Sequence, residues 1–63
     1  MACRGGLLHY LGQPVKIKVH VDGFNMWRVG EVAEVTDDNL ILDYNNEFQV
    51  YPIKDVMMIT KIH

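Results

Sequence analysis

The groups in this 63-residue chain able to do chemistry are three histidines, one cysteine, eight acids and six basic residues. His9, His20 and His63 lie far apart, and Cys3 has no partner at ligand spacing, so no zinc site is expected. Asp37 and Asp38 could hold a hard cation, but an adjacent acidic pair in a turn is ordinarily just solvated. The sequence contains no serine, no glycine-rich phosphate loop and no carboxylate pair flanking a recognisable pocket. The expectation is a protein that is not an enzyme and carries no metal or cofactor. Recognition chemistry remains. Tyr10, Phe24, Trp27, Tyr44, Phe48 and Tyr51 are interleaved with Lys16, Lys18 and Arg28. Such a mixture can stack and neutralise a single-stranded nucleic acid. The same aromatics serve equally as core and subunit interface, which is their commoner use.

The elements that would position these groups must come from a small chain. A domain this short buries only about 60% of its unfolded surface. Chains of this size ordinarily need disulfides, metals or partner subunits. A single cysteine forms no intrachain disulfide, and 49% of the residues are apolar. That supply exceeds what one small core can hide, and large exposed apolar patches mark interfaces. Self-association is therefore expected. The net charge of −2 argues against binding nucleic acid through bulk electrostatics, because such domains are basic. A local pocket, or a charge concentrated on one face of an assembly, stays compatible with it. No apolar run approaches the ~20 residues of a membrane span, and the first eleven residues are too short in apolar character for a signal peptide. With its lone thiol, the chain reads as soluble and cytoplasmic, with no membrane partner.

One domain over 1–63 is expected. Residues 1–6 read as a loose start, because Gly5 and Gly6 disfavour a helix. Leu7, Leu8 and Leu11 suggest a short helix over 7–11, stopped by Gly12 and Pro14. From 15 to 22 apolar and polar residues alternate without exception, the period of a half-buried strand. Asp22-Gly23 marks a turn. A second strand is expected over 26–35, with Trp27, Val29, Ala33 and Val35 on one face and a bulge or bend at Gly30. Thr36 to Asn39 is a polar turn, and 40–44 a third strand. Asn45-Asn46 suits a two-residue hairpin. A fourth strand spans 47–51 and is ended by Pro52, which cannot donate to a ladder. Residues 52–55 suit a single 3₁₀ turn. The fifth strand, 56–62, is apolar on both faces through Met57, Met58 and Ile59, as expected of a strand covered once by its own core and once by a neighbour. Five short strands joined by tight turns point to an all-β small barrel, whose edges need covering.

This order of elements resembles the Sm-like (LSm/Hfq-type) family of ring-forming RNA-binding proteins over residues 6–62. Residues 7–15, with Leu11-Gly12-Gln13-Pro14-Val15, resemble that family's opening helix and its entry into the first strand. Asp22-Gly23 followed by Val29-Gly30-Glu31-Val32 resembles its first motif, in which a glycine lets the second strand bend. Asp37-Asp38-Asn39-Leu40-Ile41-Leu42 resembles a shortened form of its turn-and-strand segment. Lys54-Asp55-Val56-Met57-Met58-Ile59 resembles the end of its second motif. The resemblance implies a five-stranded, strongly bent SH3-like barrel over 15–62. It also implies a closed homo-oligomeric ring of about five to seven copies, in which the fourth strand of one copy pairs with the fifth strand of the next. Phe48, Val50, Tyr51, Val56, Met57, Met58 and Ile59 would then form the subunit interface. The common activity of the family is binding single-stranded RNA near a central pore. Carried over by position, Asn39 would contact a base through an amide that both donates and accepts, with Asp38 beside it and Lys54 as a phosphate contact. As a residue of a polar turn, Asn39 is explained equally well without RNA.

The departures from the family are specific. Pro52-Ile53 stands where one branch has an Arg-Gly pair, so the arginine that stacks on or bonds to a base is missing. Asp37 occupies the place of a stacking residue, and an acid there repels phosphate. The lysine and histidine of the bacterial branch's second motif are missing too. Two other readings therefore stand beside an RNA-binding ring. One is a ring of the same fold that serves as a scaffold or protein-interaction surface. The other is a monomeric SH3-like module with a peptide groove.

Overall fold

The structure, a computed structural model, describes residues 4–62. The chain forms a short N-terminal helix, α1 (Arg4–Leu7), and a 3₁₀ turn (Leu8–Tyr10). Five strands follow: β1 (Pro14–Val21), β2 (Phe24–Val35), β3 (Asn39–Tyr44), β4 (Glu47–Pro52) and β5 (Val56–Lys61). A second 3₁₀ turn, Ile53–Asp55, joins β4 to β5. All five strands lie in one antiparallel sheet of order β4-β3-β2-β1-β5.

Local chemistry accounts for the hairpins. Asp22 and Gly23 join β1 to β2 with φ of 50° and 82°, and Asn45 and Asn46 join β3 to β4 with φ of 53° and 65°. Two consecutive left-handed residues give a turn whose twist matches that of the flanking strands, and Asn, Asp and Gly are the residues that tolerate it. The alternation of β1 is realised from Val15 to Val21, with Val21 half-buried and Asp22 in the turn and not in the strand. Val15, Ile17 and Val19 are completely buried, whereas Lys16 and His20 are exposed and Lys18 is half-exposed.

β2 departs from the expected face. Val32 and Val35 are buried, whereas Trp27, Val29 and Ala33 are exposed. The register against β3 shifts between Val32, which pairs with Leu42, and Glu34, which pairs with Ile41. Ala33 is thus an extra residue in β2, and a bulge of this kind lets two residues three apart face the same side. Gly30 has a different role. A Cβ at that position would stand 3.1 Å from both the Leu42 Cβ and the Asp43 carbonyl oxygen, so glycine permits β3 to approach closely.

The helix also begins earlier than expected, since Gly5 and Gly6 lie within α1. Their low propensity is offset by Leu7, which is 2% exposed in the core. Burying a leucine completely is worth about 2 kcal/mol, comparable to what the two helical glycines cost together at ~1 kcal/mol each. The segment after the helix is clamped to β2. The Gly12 N–H donates to the Val32 carbonyl at 2.9 Å, and the Val32 N–H donates to the Gln13 carbonyl at 3.0 Å.

β4 ends at Pro52, one residue later than expected, and β5 at Lys61. β5 carries its own irregularity, because its register with β1 shifts between Lys18, paired with Met58, and Val19, paired with Val56. Met57 is the surplus residue. The core consists of Leu7, Val15, Ile17, Val19, Val32, Val35, Leu40, Leu42, Ile53 and Val56, with Tyr10, Val21, Tyr51 and Ile59 packed against it. Among the described residues, no helix is long and apolar enough to cross a membrane.

Candidate nucleic-acid interface

The connection from β2 to β3 is a tight polar turn. The Thr36 N–H donates to the Asn39 carbonyl at 2.9 Å, and the Asn39 N–H donates to the Thr36 hydroxyl oxygen at 3.0 Å. The turn thus engages Asn39 through its backbone, so the fold does not require the amide side chain to close it. The Ile53 N–H donates to the Asp38 carbonyl at 2.9 Å, and Asn39 pairs with Pro52 across β3 and β4. Ile53 is buried, and its side chain anchors the second turn in the core. These contacts hold the β2–β3 turn beside the β4–β5 turn. Asp38, Asn39 and Lys54, which are distant in sequence, consequently belong to one surface region. Asp38 and Lys54 are exposed and Asn39 is half-buried. The region therefore presents an amide, a cation and acids, including the exposed Asp37.

A second cluster occupies the outer face of β1 and β2. Lys18 pairs with Trp27 and Lys16 with Val29, and residues directly opposite each other share a face. The Lys16 Nζ lies 4.9 Å from the Trp27 ring centre and the Lys18 Nζ 5.9 Å from it. Both distances are within the range of a cation–π contact. The expected mixing of aromatic and basic side chains is thus physical for these three residues. Trp27 remains 48% exposed. Arg28 is on the opposite face, across from Ile17.

The residues expected at a subunit interface divide into three groups. Phe48, Val50, Met57 and Met58 are exposed, and Phe48 is the most open of them at 66%. Tyr51 and Ile59 are half-buried against the core. Val56 is 1% exposed and belongs to the chain's own core, because its pairing with Val19 turns it inward. Its side chain therefore has no surface to offer a neighbour. On the outer face of β2, β3 and β4, a shallow groove is lined by Ala33, Glu34, Ile41, Phe48 and Val50.

No group of three or more histidine, cysteine, aspartate or glutamate side chains placed to hold a metal occurs among the described residues. The His20 ring bonds the Asn25 amide oxygen through Nδ1 at 3.0 Å, across the first hairpin. Cys3 and His63 lie outside the described residues. Sequence reasoning did not single out the pocket bordered by Trp27, Arg28, Val29, Tyr44, Gln49 and Tyr51. Its polar members sit on three strands, and only the register of β2, β3 and β4 brings them together. No protein-family model, curated protein or solved structure matches this chain.

Proposed function

We propose that the chain is an Sm-like protein. Its sheet closes into an SH3-like barrel, copies assemble into a homo-oligomeric ring in the cytoplasm, and the ring binds single-stranded RNA without catalysing a reaction. The observation that carries the RNA reading is the Asp38–Ile53 hydrogen bond, which sets the Asn39 turn beside the Lys54 turn. Assembly is supported by the sheet order. β4 and β5 are the two end strands, and each carries exposed apolar residues, Phe48 and Val50 on one and Met57 and Met58 on the other. Unpaired strand edges pair readily with another chain, and pairing β4 of one copy with β5 of the next satisfies both. A ring then repeats one weak pocket, and a flexible strand that engages several copies gains avidity.

Fluorescence anisotropy with labelled oligo-U and oligo-A, at low and moderate salt, tests the reading. Asn39→Ala weakens binding roughly tenfold through loss of base contacts in each copy. Lys54→Ala weakens it evenly across sequences and lowers the salt slope by about one. The absence of binding to either oligomer at about tens of micromolar protein, where even non-specific complexes form, refutes it.

The acids Asp37 and Asp38 beside Asn39 favour a second reading, a ring of the same fold that acts as a protein scaffold. Partners that stay attached to the captured protein after ribonuclease treatment, together with no oligonucleotide binding, establish that reading instead.

A further inference from the structure

Arg28 does not fit the pattern of its strand. Its register partner is Ile17, so its side chain lies on the same side of the sheet as the buried row of β1. Arg28 is half-buried as a residue, and its guanidinium has no ion pair among the described residues, although the chain has eight acids to six basic residues. Two contacts at the surface hold it instead. Nη1 donates to the Trp27 carbonyl at 2.9 Å and Nη2 to the Met26 sulfur at 3.3 Å. A guanidinium has five N–H donors, so the group is oriented with donors to spare.

Arg28 opens onto the pocket that Tyr44, Gln49 and Tyr51 line. Gln49 pairs with Leu42 and Tyr51 with Leu40, which places both on the core side of the sheet, as Arg28 is. None of the six lining residues is acidic. The pocket therefore combines a positioned cation, two phenol rings and one amide. A phosphate suits the guanidinium, a planar base suits the rings, and the amide can donate to and accept from a base edge.

We infer that this pocket binds a nucleotide unit, a nucleobase carrying an anionic phosphate, with Arg28 on the phosphate and Tyr44, Gln49 and Tyr51 on the base. It contains neither Asn39 nor Lys54, so it stands apart from the turn region and does not rest on the reading given for it. The unit can be a free mononucleotide or one residue of a strand.

Isothermal titration calorimetry of the whole chain with AMP, UMP, the matching nucleosides and a hexanucleotide tests the inference. A mononucleotide binds at least roughly tenfold more tightly than its nucleoside, the scale of one charge-assisted contact. Arg28→Gln removes that preference, and Arg28→Lys keeps part of it. Circular dichroism of each variant establishes that it is folded. A hexanucleotide that binds more tightly than the monomer makes a strand the ligand, and equal affinity makes it the free nucleotide; both outcomes support the pocket. No saturable heat from either mononucleotide up to about 10 mM, weaker than almost any specific site, overturns the inference. So does a folded Arg28→Gln variant that still prefers the phosphorylated form.

Discussion

Substituting Gly30 by alanine should destabilise the protein, although alanine is ordinarily the better residue in a strand. The new Cβ would lie 3.1 Å from the Leu42 Cβ and 3.1 Å from the Asp43 carbonyl oxygen. Carbon atoms prefer 3.5–4.0 Å, so β3 would have to retreat by a few tenths of an ångström. Leu42 is poorly placed to retreat. It is 1% exposed, and its strand is paired to β2 on one side and to β4 on the other. Overpacking of this kind costs about 1–3 kcal/mol. The relief of glycine's backbone entropy returns about 0.5–1 kcal/mol. The net loss spans about 0–2.5 kcal/mol with a midpoint of about 1.25 kcal/mol, which in a domain of this size lowers Tm by about 5–10 °C. Thermal melts followed by circular dichroism measure it. They are run at one fixed chain concentration, because the Tm of any associating chain depends on concentration. Gly5→Ala supplies the opposite sign. It meets nothing within 4 Å and sits in α1, so it should stabilise by about 0.4–1 kcal/mol. A Gly30→Ala protein that melts at or above the unmodified chain refutes the argument that glycine is present to let β3 approach.

Two further substitutions test the core and the second hairpin. Leu40 is fully buried, and Leu40→Ala removes about 2–5 kcal/mol. A chain of 63 residues has roughly 3–9 kcal/mol in total, so the variant's urea midpoint falls steeply; a midpoint shift worth under about 1 kcal/mol contradicts the packing described. Asn46→Ala places a Cβ-bearing residue with poor left-handed tolerance at φ 65° and should cost about 1 kcal/mol, whereas Asn46→Gly should be neutral or stabilising in the same melt.

How much of this was legible in the sequence depended on which force decided each element. The two-residue turns and β1 follow from local chemistry, and Asp22-Gly23, Asn45-Asn46 and the Val15-Ile17-Val19 row appear where the residue types place them. β2 was misjudged because its bulge falls at Ala33 and not at Gly30. A bulge is set by pairing with β3, and pairing is invisible to a reading of one strand. The only local sign was the three-residue spacing of Val32 and Val35, which no regular strand can bury on one side. α1 reaches back to Arg4 against the propensity of Gly5 and Gly6, because burial of Leu7 offsets it and burial does not show in local propensity. Of the turn region, the grouping of Asp38, Asn39 and Lys54 came from the family resemblance, while the Ile53–Asp38 hydrogen bond that holds the two turns together was not legible. Of the Arg28 pocket, Trp27, Arg28, Tyr44 and Tyr51 were legible as a mixture of aromatic and basic residues, but neither Gln49 nor their meeting in one place was, because that needs three strands in register.

The proposed ring requires copies of this chain to join through β4 and β5. Multi-angle light scattering on the whole chain over a range of concentrations tests that most directly, with Val50→Asp and Met57→Asp beside it. Val50 and Met57 are 57% and 48% exposed, so a new acid there has little effect on the fold of one copy but puts a charge into the joint. The predicted result is one discrete mass several times that of the 7.3 kDa chain, falling to the single-chain mass in both variants while their circular dichroism is retained. A single-chain mass for the unmodified protein at every concentration contradicts it.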